Sequence, residues 1–301
     1  MPFEPLSLNN GQQIPSIAFG TGSTWRTSPR ATDDDGVSQE VVNTILAAIR
    51  AGFRHFDTSE YYKTEKSLGR ALELSKVPRN EFYIASKVGP TESLQAGCES
   101  AVRRQLALIG TDYLDLYLVH TPRSVKGDLT FAGVWTDMES LVKLGLVKSI
   151  GVSNFDPEHF EQFLPSATIP PVVNQISIYP YIYHRALPVI EFCQRQSIVL
   201  EAYEVASSVA RESERDGPLD PVIDAIMSSL ASSGQQASAG QVLLAWSRAK
   251  GFVTVTTSSK PERIQEYLGA GDIKLTREQV KAIDDAGAEG AEQGRGKYSS
   301  W

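Results

Sequence analysis

The chain has 301 residues, of which 41% are hydrophobic and 22% charged, an ordinary balance for a soluble globular protein and enough length for one large domain or two smaller ones. Its net charge of −7 argues against bulk binding to nucleic acid, which needs a basic face. No apolar run reaches the ~18 residues of a membrane span, and Met1-Pro2-Phe3-Glu4-Pro5 lacks the charged and apolar regions of a signal peptide. The two cysteines, Cys98 and Cys193, have no metal-ligand spacing and read as reduced thiols of a cytoplasmic protein rather than a disulfide framework.

The first elements are short. Leu6-Ser7-Leu8 and Gln13-Ile14-Pro15 flank Asn9-Asn10-Gly11, and an Asn-Gly step between apolar stretches predicts a hairpin. Ile17 to Phe19 is strand-like. Val37 to Ala51 has helical period, with Val41, Ile45, Ala48 and Ile49 on one stripe. Predicted strands and helices then alternate. Strand Phe53–Phe56 precedes helix Glu65–Leu74, strand Phe82–Ala85 precedes helix Ser93–Leu108, and strand Tyr113–Val119 precedes helix Phe131–Leu144. Ser149–Val152 is followed by a helix near Pro157–Phe163, and Val172–Ile176 by helix Ala186–Arg195. Strand Ile198–Ala202 leads into a polar stretch, Ser207–Gly217, and then helical patterns at Pro221–Leu230 and Ala239–Lys250. Phe252–Val255 is the last strand, before helices at Pro261–Leu268 and Thr276–Ala286, the latter with Thr276 as N-cap. The Gly-rich tail Gly287–Trp301 reads as irregular.

Strand–helix units in series, with short loops and no linker, imply a parallel sheet. Eight units in ~250 residues is the size of a (β/α)8 barrel, whose active sites lie at the C-terminal strand ends. The expected architecture is therefore one α/β domain over residues 1–301: a (β/α)8 barrel with an N-terminal hairpin and extra helices near the C-terminus. A doubly wound sheet is the alternative, but Gly20-Thr21-Gly22 lacks the third glycine of its phosphate motif.

Three successive strands finish on proton-handling residues. The strand Phe53–Phe56 is followed by Asp57, with Tyr62 five residues later; the next ends in Lys87 and the third in His120. Singly, an Asp after a strand is commonly a turn former, a Tyr packs, and a Lys is solvated. Lys87 and His120, however, directly end strands expected to be buried, where a charge needs a partner or a task. On a barrel rim the four converge. A lysine cation favours a neighbouring phenolate, and a carboxylate holds that lysine in place. The set then makes a phenol able to give or take a proton at a carbonyl or alcohol oxygen, with the histidine orienting that oxygen.

Four longer segments carry a family resemblance. Gly52-Phe53-Arg54-His55, an apolar residue, Asp57-Thr58-Ser59, five residues, Glu65 and Leu68-Gly69 form one. Ile150-Gly151-Val152-Ser153-Asn154-Phe155, Val172-Val173-Asn174-Gln175 and Gln241-Val242-Leu243-Leu244-Ala245-Trp246 are the others. With these motifs the chain resembles the aldo-keto reductases over almost its whole length. The resemblance implies an NADPH-dependent carbonyl reductase in which Tyr62 donates the proton, Asp57 and Lys87 tune it, and His120 orients the carbonyl. It implies a cofactor held by Ser23, Thr24, Asp57, Ser153, Asn154 and Gln175, with Tyr203 stacked on the nicotinamide.

Two segments depart from the family pattern. After the last strand the run is Thr256-Thr257-Ser258-Ser259-Lys260-Pro261-Glu262-Arg263, with Thr257 where most relatives have a lysine for the 2′-phosphate. Thr257, Ser258, Ser259, Lys260 and Arg263 are the phosphate candidates, at a helix start, and Glu266 the adenine contact. The run, with Gly20-Thr21-Gly22-Ser23-Thr24-Trp25, is similar to the fungal conjugated-polyketone and ketopantoyl-lactone reductase branch. After Tyr203 stands Glu204, an acid near the expected diphosphate, which is unfavourable unless it points away. Trp25, Tyr61, Phe155 and Trp301 are candidates for an apolar substrate wall, His120 faces the substrate, and Arg123 is a candidate for a substrate carboxylate or second carbonyl. The expected partner is a small carbonyl compound, and the expected state a monomer with a dimer as the alternative; no metal, nucleic acid or membrane is expected. A nucleotide-binding regulatory barrel without turnover is the alternative function, and a metal hydrolase built on His55 and Asp57 a weaker one.

Overall fold

The computed structural model describes residues 3–22, 32–33, 35–211 and 216–296. Strands β1 (Leu6–Ser7) and β2 (Gln13–Ile14) pair antiparallel as the predicted hairpin, with Leu6 opposite Ile14. The other strands close into an eight-stranded parallel barrel in chain order. They are β3 (Ile17–Gly20), β4 (His55–Asp57), β5 (Tyr83–Val88), β6 (Leu114–Val119), β7 (Val147–Ser153), β8 (Val173–Ser177), β9 (Val199–Tyr203) and β10 (Val253–Thr256), with β10 pairing back onto β3. The (β/α)8 barrel expected from the alternation of strand and helix is the fold observed.

Strand alternation divides the apolar residues into two bodies. Phe19, Phe56, Ile84, Val119 and Ile150 point outward and pack with helix residues such as Val41, Ile45, Leu106 and Met138. Ala85, Leu116, Leu118, Val173 and Val253 form an inner cluster that the hairpin residues Leu8 and Ile14 join. Ile14 is fully buried, so the hairpin plugs the end of the barrel away from the strand C-termini. The polar residues of the inner face, Asp57, Lys87, Gln175 and Glu201, are left for the layer above.

The helices differ from expectation chiefly as follows. The predicted Ser93–Leu108 helix is two, Thr91–Gln95 and Cys98–Ile109, broken at Ala96-Gly97. The helix expected from Ala186 begins at Pro180, because a proline in the first turn gives up only an N–H that has no helical partner. The tail expected to be irregular continues as helix Arg277–Glu292. Its glycines serve contact rather than looseness: a Cβ on Gly287 would lie 2.3 Å from the Pro180 carbonyl oxygen. The helix thereby lies directly on Pro180–Arg195. Among the described residues no helix is long and apolar enough to cross a membrane.

Candidate active site

Lys87 has no exposed surface, and neither, nearly, has Asp57. Their strands are neighbours, with Asp57 opposite Ala85, which places the lysine one pleat further toward the rim. Lys87 Nζ lies 2.7 and 2.6 Å from the two Asp57 carboxylate oxygens and 3.0 Å from the Thr58 carbonyl. Its hydrogens all have acceptors. Burial works against the ammonium, but attraction to Asp57, the Tyr62 phenol and Glu201 outweighs it and raises the lysine pKa. Lys87 stays charged.

The charge faces a phenol. Lys87 Nζ is 5.1 Å from the centre of the Tyr62 ring, and Tyr62 Oη is 3.5 Å from His120 Nε2. His120 Nδ1 meets Ser59 Oγ at 2.7 Å. Ser59 Oγ also accepts the Tyr61 N–H, so one hydroxyl ties the loop backbone to the imidazole, whose Nε2 faces Tyr62. The loop bearing the tyrosine is pinned from below by a hydroxyl chain, Thr21 to Thr64 at 2.7 Å and Thr64 to Thr58 at 2.9 Å. Glu60 anchors it sideways through Ser93 and Arg104. The Tyr62 ring packs against Gly22, where an added Cβ would approach it to 2.4 Å. Gly20-Thr21-Gly22 is thus a seat for the tyrosine, a role its reading as an incomplete phosphate motif missed.

A cavity of about 480 Å³ opens beside Asp57, Tyr62 and His120. Ser153, Asn154, Gln175 and Tyr203 line it from the ends of β7, β8 and β9. Asn154 and Glu204 both adopt left-handed backbone, φ +63° and +64°, a conformation that costs a non-glycine residue about 1 kcal/mol or more. Asn154 Nδ2 donates to the His120 carbonyl at 3.0 Å, and its oxygen accepts the Tyr203 hydroxyl at 2.8 Å. The tyrosine ring is thereby fixed at the wall.

The cavity continues past Glu204 to Thr257, Ser258, Ser259, Lys260 and Arg263. Glu204 does not face this space as an unpaired acid: Ser177 Oγ donates to it at 2.8 Å and Arg211 pairs with it. Among the described residues two buried hydroxyls of the lining, Ser207 Oγ and Thr257 Oγ1, have no partner; a third, Ser208 Oγ, is buried outside the lining. Among the described residues the Lys260 and Arg263 side chains make no hydrogen bond or ion pair, and both are exposed at the start of helix Pro261–Gly269. Orphaned hydroxyls, two unengaged cations and a helix N-terminus along one groove fit a ligand with several phosphates. Glu266 accepts from Ser238 and lines an adjoining cavity of about 430 Å³ with Arg263 and Tyr267.

Asp57, Tyr62, His120, Ser153, Asn154, Gln175, Tyr203 and Thr257, Ser258, Ser259, Lys260 and Arg263 are therefore drawn to one groove, with Lys87 buried against Asp57. Tyr61 borders it, its ring 5.3 Å from His120 and 43% exposed. Arg123 is exposed and does not line the cavity. Phe155 is buried in an aromatic cluster with Phe131, Phe160 and Phe163, away from the site. Ser23, Thr24, Trp25 and Trp301 lie outside the described residues.

Below the site, Gln175 Nε2 donates to Asp57 at 3.0 Å and to Glu201 at 2.8 Å. Glu201 is fully buried, 3.7 Å from His55 Nε2, and His55 Nδ1 lies 3.1 Å from the Pro15 carbonyl. Burial, then the Asp57 charge, pushes the Glu201 pKa up to about 8; burial holds His55 down to about 4. Both are neutral near pH 7. Glu201 was not singled out from sequence; an acid inside the strand Ile198–Ala202 was the available signal.

The aldo/keto reductase family profile matches residues 16–288. The chain belongs to the aldo/keto reductase family. Among its relatives, the NADPH-dependent alpha-keto amide reductase of Saccharomyces cerevisiae is 35% identical, covering 94% of this chain and 91% of that protein. The NAD/NADP-dependent indole-3-acetaldehyde reductase of Schizosaccharomyces pombe is also 35% identical, covering 93% and 94%. A Bombyx mori aldo-keto reductase crystallised with NADP superposes with TM-score 0.80 at 28% identity, over 94% of this chain and 92% of that one.

Two outcomes test the buried electrostatics of this aldo/keto reductase. Lys87→Met leaves Asp57 charged and unpaired and should cost about 3–5 kcal/mol. Adding Asp57→Asn should recover part of that loss in urea unfolding; a double variant no more stable than the single one would show that the pair is not coupled. Because the Glu201 pKa is raised on folding, its contribution is full below its ordinary value of 4.5 and lost as pH rises through about 8. The stability gained by Glu201→Gln should accordingly be smallest near the lower value and largest above the upper one.

Proposed function

We propose that this chain reduces the carbonyl of a small ketone or aldehyde to an alcohol with NADPH, Tyr62 giving the proton. The observation that carries this reading is the Tyr62 phenol set between the His120 imidazole and the buried Lys87 ammonium, at the mouth of a groove lined with orphaned hydroxyls. The two yeast relatives, named for reduction of alpha-keto amides and of an indole aldehyde, support the same reaction class.

NADPH, when bound, supplies the hydride. Ser153, Asn154 and Gln175 would meet its carboxamide and Tyr203 its nicotinamide ring. Ser207 and Thr257 would take phosphate oxygens, and Ser23 and Thr24 are cofactor candidates from the sequence alone. Lys260 and Arg263, with Ser258 and Ser259, would meet the 2′-phosphate, and Glu266 the adenine. As charge develops on the carbonyl oxygen, Tyr62 donates its hydroxyl proton. His120 Nε2–H orients that oxygen, and Lys87 steadies the phenolate left behind. Tyr61 and Trp25 would wall the substrate. Ketones with a second carbonyl next to the first are the substrates to try first, following the keto amide relative. We place the protein in the cytoplasm as a single-domain monomer. Both cysteines are buried and unbridged, their thiols pushed up to about 12 by burial, which keeps them unreactive.

Tyr62→Phe should lower turnover of such a ketone roughly 100-fold or more, while NADPH still quenches protein fluorescence. Turnover close to the parent's would remove Tyr62 as proton donor. Lys260→Ala with Arg263→Ala should raise the dissociation constant for NADPH about tenfold or more and leave that for NADH nearly unchanged. An equal loss for both dinucleotides would show that these cations do not read the 2′-phosphate.

A further inference from the structure

Gln175 connects two carboxyl groups that the proposed chemistry treats unequally: Asp57, which pairs with Lys87, and Glu201, to which that chemistry gives no part. Their hydrogen bonds leave one consistent arrangement of protons. Lys87 can only donate, and Asp57, its ion-pair partner, only accepts. The Gln175 amide therefore presents its NH2 group, not its oxygen, to Asp57, whichever way the amide would otherwise turn. At the other end the Pro15 carbonyl only accepts, so His55 donates from Nδ1 and turns the lone pair of Nε2 toward Glu201 Oε1. Glu201 Oε2 accepts the second Gln175 N–H at 2.8 Å, while Oε1 stands 3.7 Å from His55 Nε2, beyond hydrogen-bond reach.

We propose that Glu201 is a positioning residue: by taking the second amide hydrogen of Gln175 it leaves only that amide's oxygen to the cavity, and so selects a ligand with a primary carboxamide. Asp57 alone fixes one hydrogen and lets the amide pivot about that bond. Two acceptors on strands flanking the barrel interior, β4 and β9, hold it in one plane. Gln175 also lines the cavity, so the remaining oxygen is an acceptor with no hydrogen of its own to offer. A carboxamide NH2 satisfies it and an acetyl group in the same place does not. Glu201 performs this as a neutral acid. The groups facing it are Asp57 and His55 from β4, Tyr83 and Lys87 from β5 and Gln175 from β8, and an additional anion among them would have only Lys87 as counter-charge.

The proposal rests on the dinucleotide reading, and the test separates the two. Dissociation constants are measured by fluorescence quenching for NADPH and for its 3-acetylpyridine analogue, which lacks the amide NH2. The proteins are the parent chain, Glu201→Gln and Glu201→Thr, with folding checked by circular dichroism. Glutamine reproduces the acid, its oxygen accepting from Gln175 and its NH2 facing His55; threonine suits a strand but is too short to span to Gln175. In Glu201→Thr the NADPH constant should rise about tenfold, the loss of one well-made hydrogen bond, while that of the analogue changes little. Glu201→Gln should keep the parent's preference for the carboxamide. A threonine variant that keeps the preference, or a glutamine variant that loses it, overturns the role of Glu201. Should threonine prevent folding, Glu201→Leu serves in its place, and the glutamine result alone can still refute the role. A parent chain whose fluorescence NADPH does not quench would instead refute the dinucleotide reading itself.

Discussion

A lysine ammonium with no exposed surface cannot persist in a protein interior without compensation, because removing it from water costs several kcal/mol even after relaxation. In this barrel the compensation is Asp57 at 2.6 Å, and the rest of the site is arranged around that pair. The pair forms because β4 and β5 are parallel neighbours in a fixed register, which brings an inward acid one pleat below an inward lysine. With its hydrogens accepted by Asp57 and Thr58, Lys87 acts on Tyr62 through charge, 5.1 Å from the centre of the ring. This division lets the tyrosine keep its hydroxyl for the substrate while the stored positive charge waits beneath it.

The two ends of the groove are built on different principles. At the Tyr62 end each polar group is held by a partner: Ser59 on His120, Tyr203 on Asn154, Gly22 under the tyrosine ring. Preorganisation of this kind is what proton transfer requires, since a donor misplaced by an ångström loses much of its effect. At the Lys260 end the cations are exposed and, among the described residues, the Ser207 and Thr257 hydroxyls lack partners. That end is suited to binding, where a flexible charge can close on a phosphate after it arrives. Glu204 lies between the two, and its pairing with Arg211 and Ser177 resolves the difficulty of an acid beside the phosphate path.

The barrel and the convergence of Asp57, Tyr62, Lys87 and His120 were legible in the sequence because both follow from short periods. Alternating strands and helices dictate a parallel sheet, and inward residues at strand ends share a rim. Less legible was whatever depended on contacts between distant segments. Gly287 looked like a tail residue because the surface it must approach, the Pro180 turn, is remote in the chain. Gly22 looked like a failed phosphate motif because its true neighbour, Tyr62, lies on another loop. Phe155 and Arg123 adjoin motif residues, yet side-chain direction sends one into an aromatic cluster and the other to the surface. Proximity in sequence carried no information about direction there.

Glu201 shows the same limit and sets the charge balance of the core. A single acid in an apolar strand gives no hint of its partners, yet its ionisation state governs how much of the Lys87 charge reaches Tyr62. The raised Glu201 pKa and the lowered His55 pKa favour a buried set of one cation and one anion, with the cation 5.1 Å from the centre of the Tyr62 ring. Were Glu201 ionised, the set would carry a net negative charge, and a phenolate forming at Tyr62 would face two buried carboxylates for one ammonium. Like charges in a medium of low polarity repel strongly, so the anion left by proton donation would be disfavoured. Burial of Glu201 beside Asp57, opposite a histidine whose pKa burial lowers, thus disfavours a second carboxylate next to the one that pairs with Lys87.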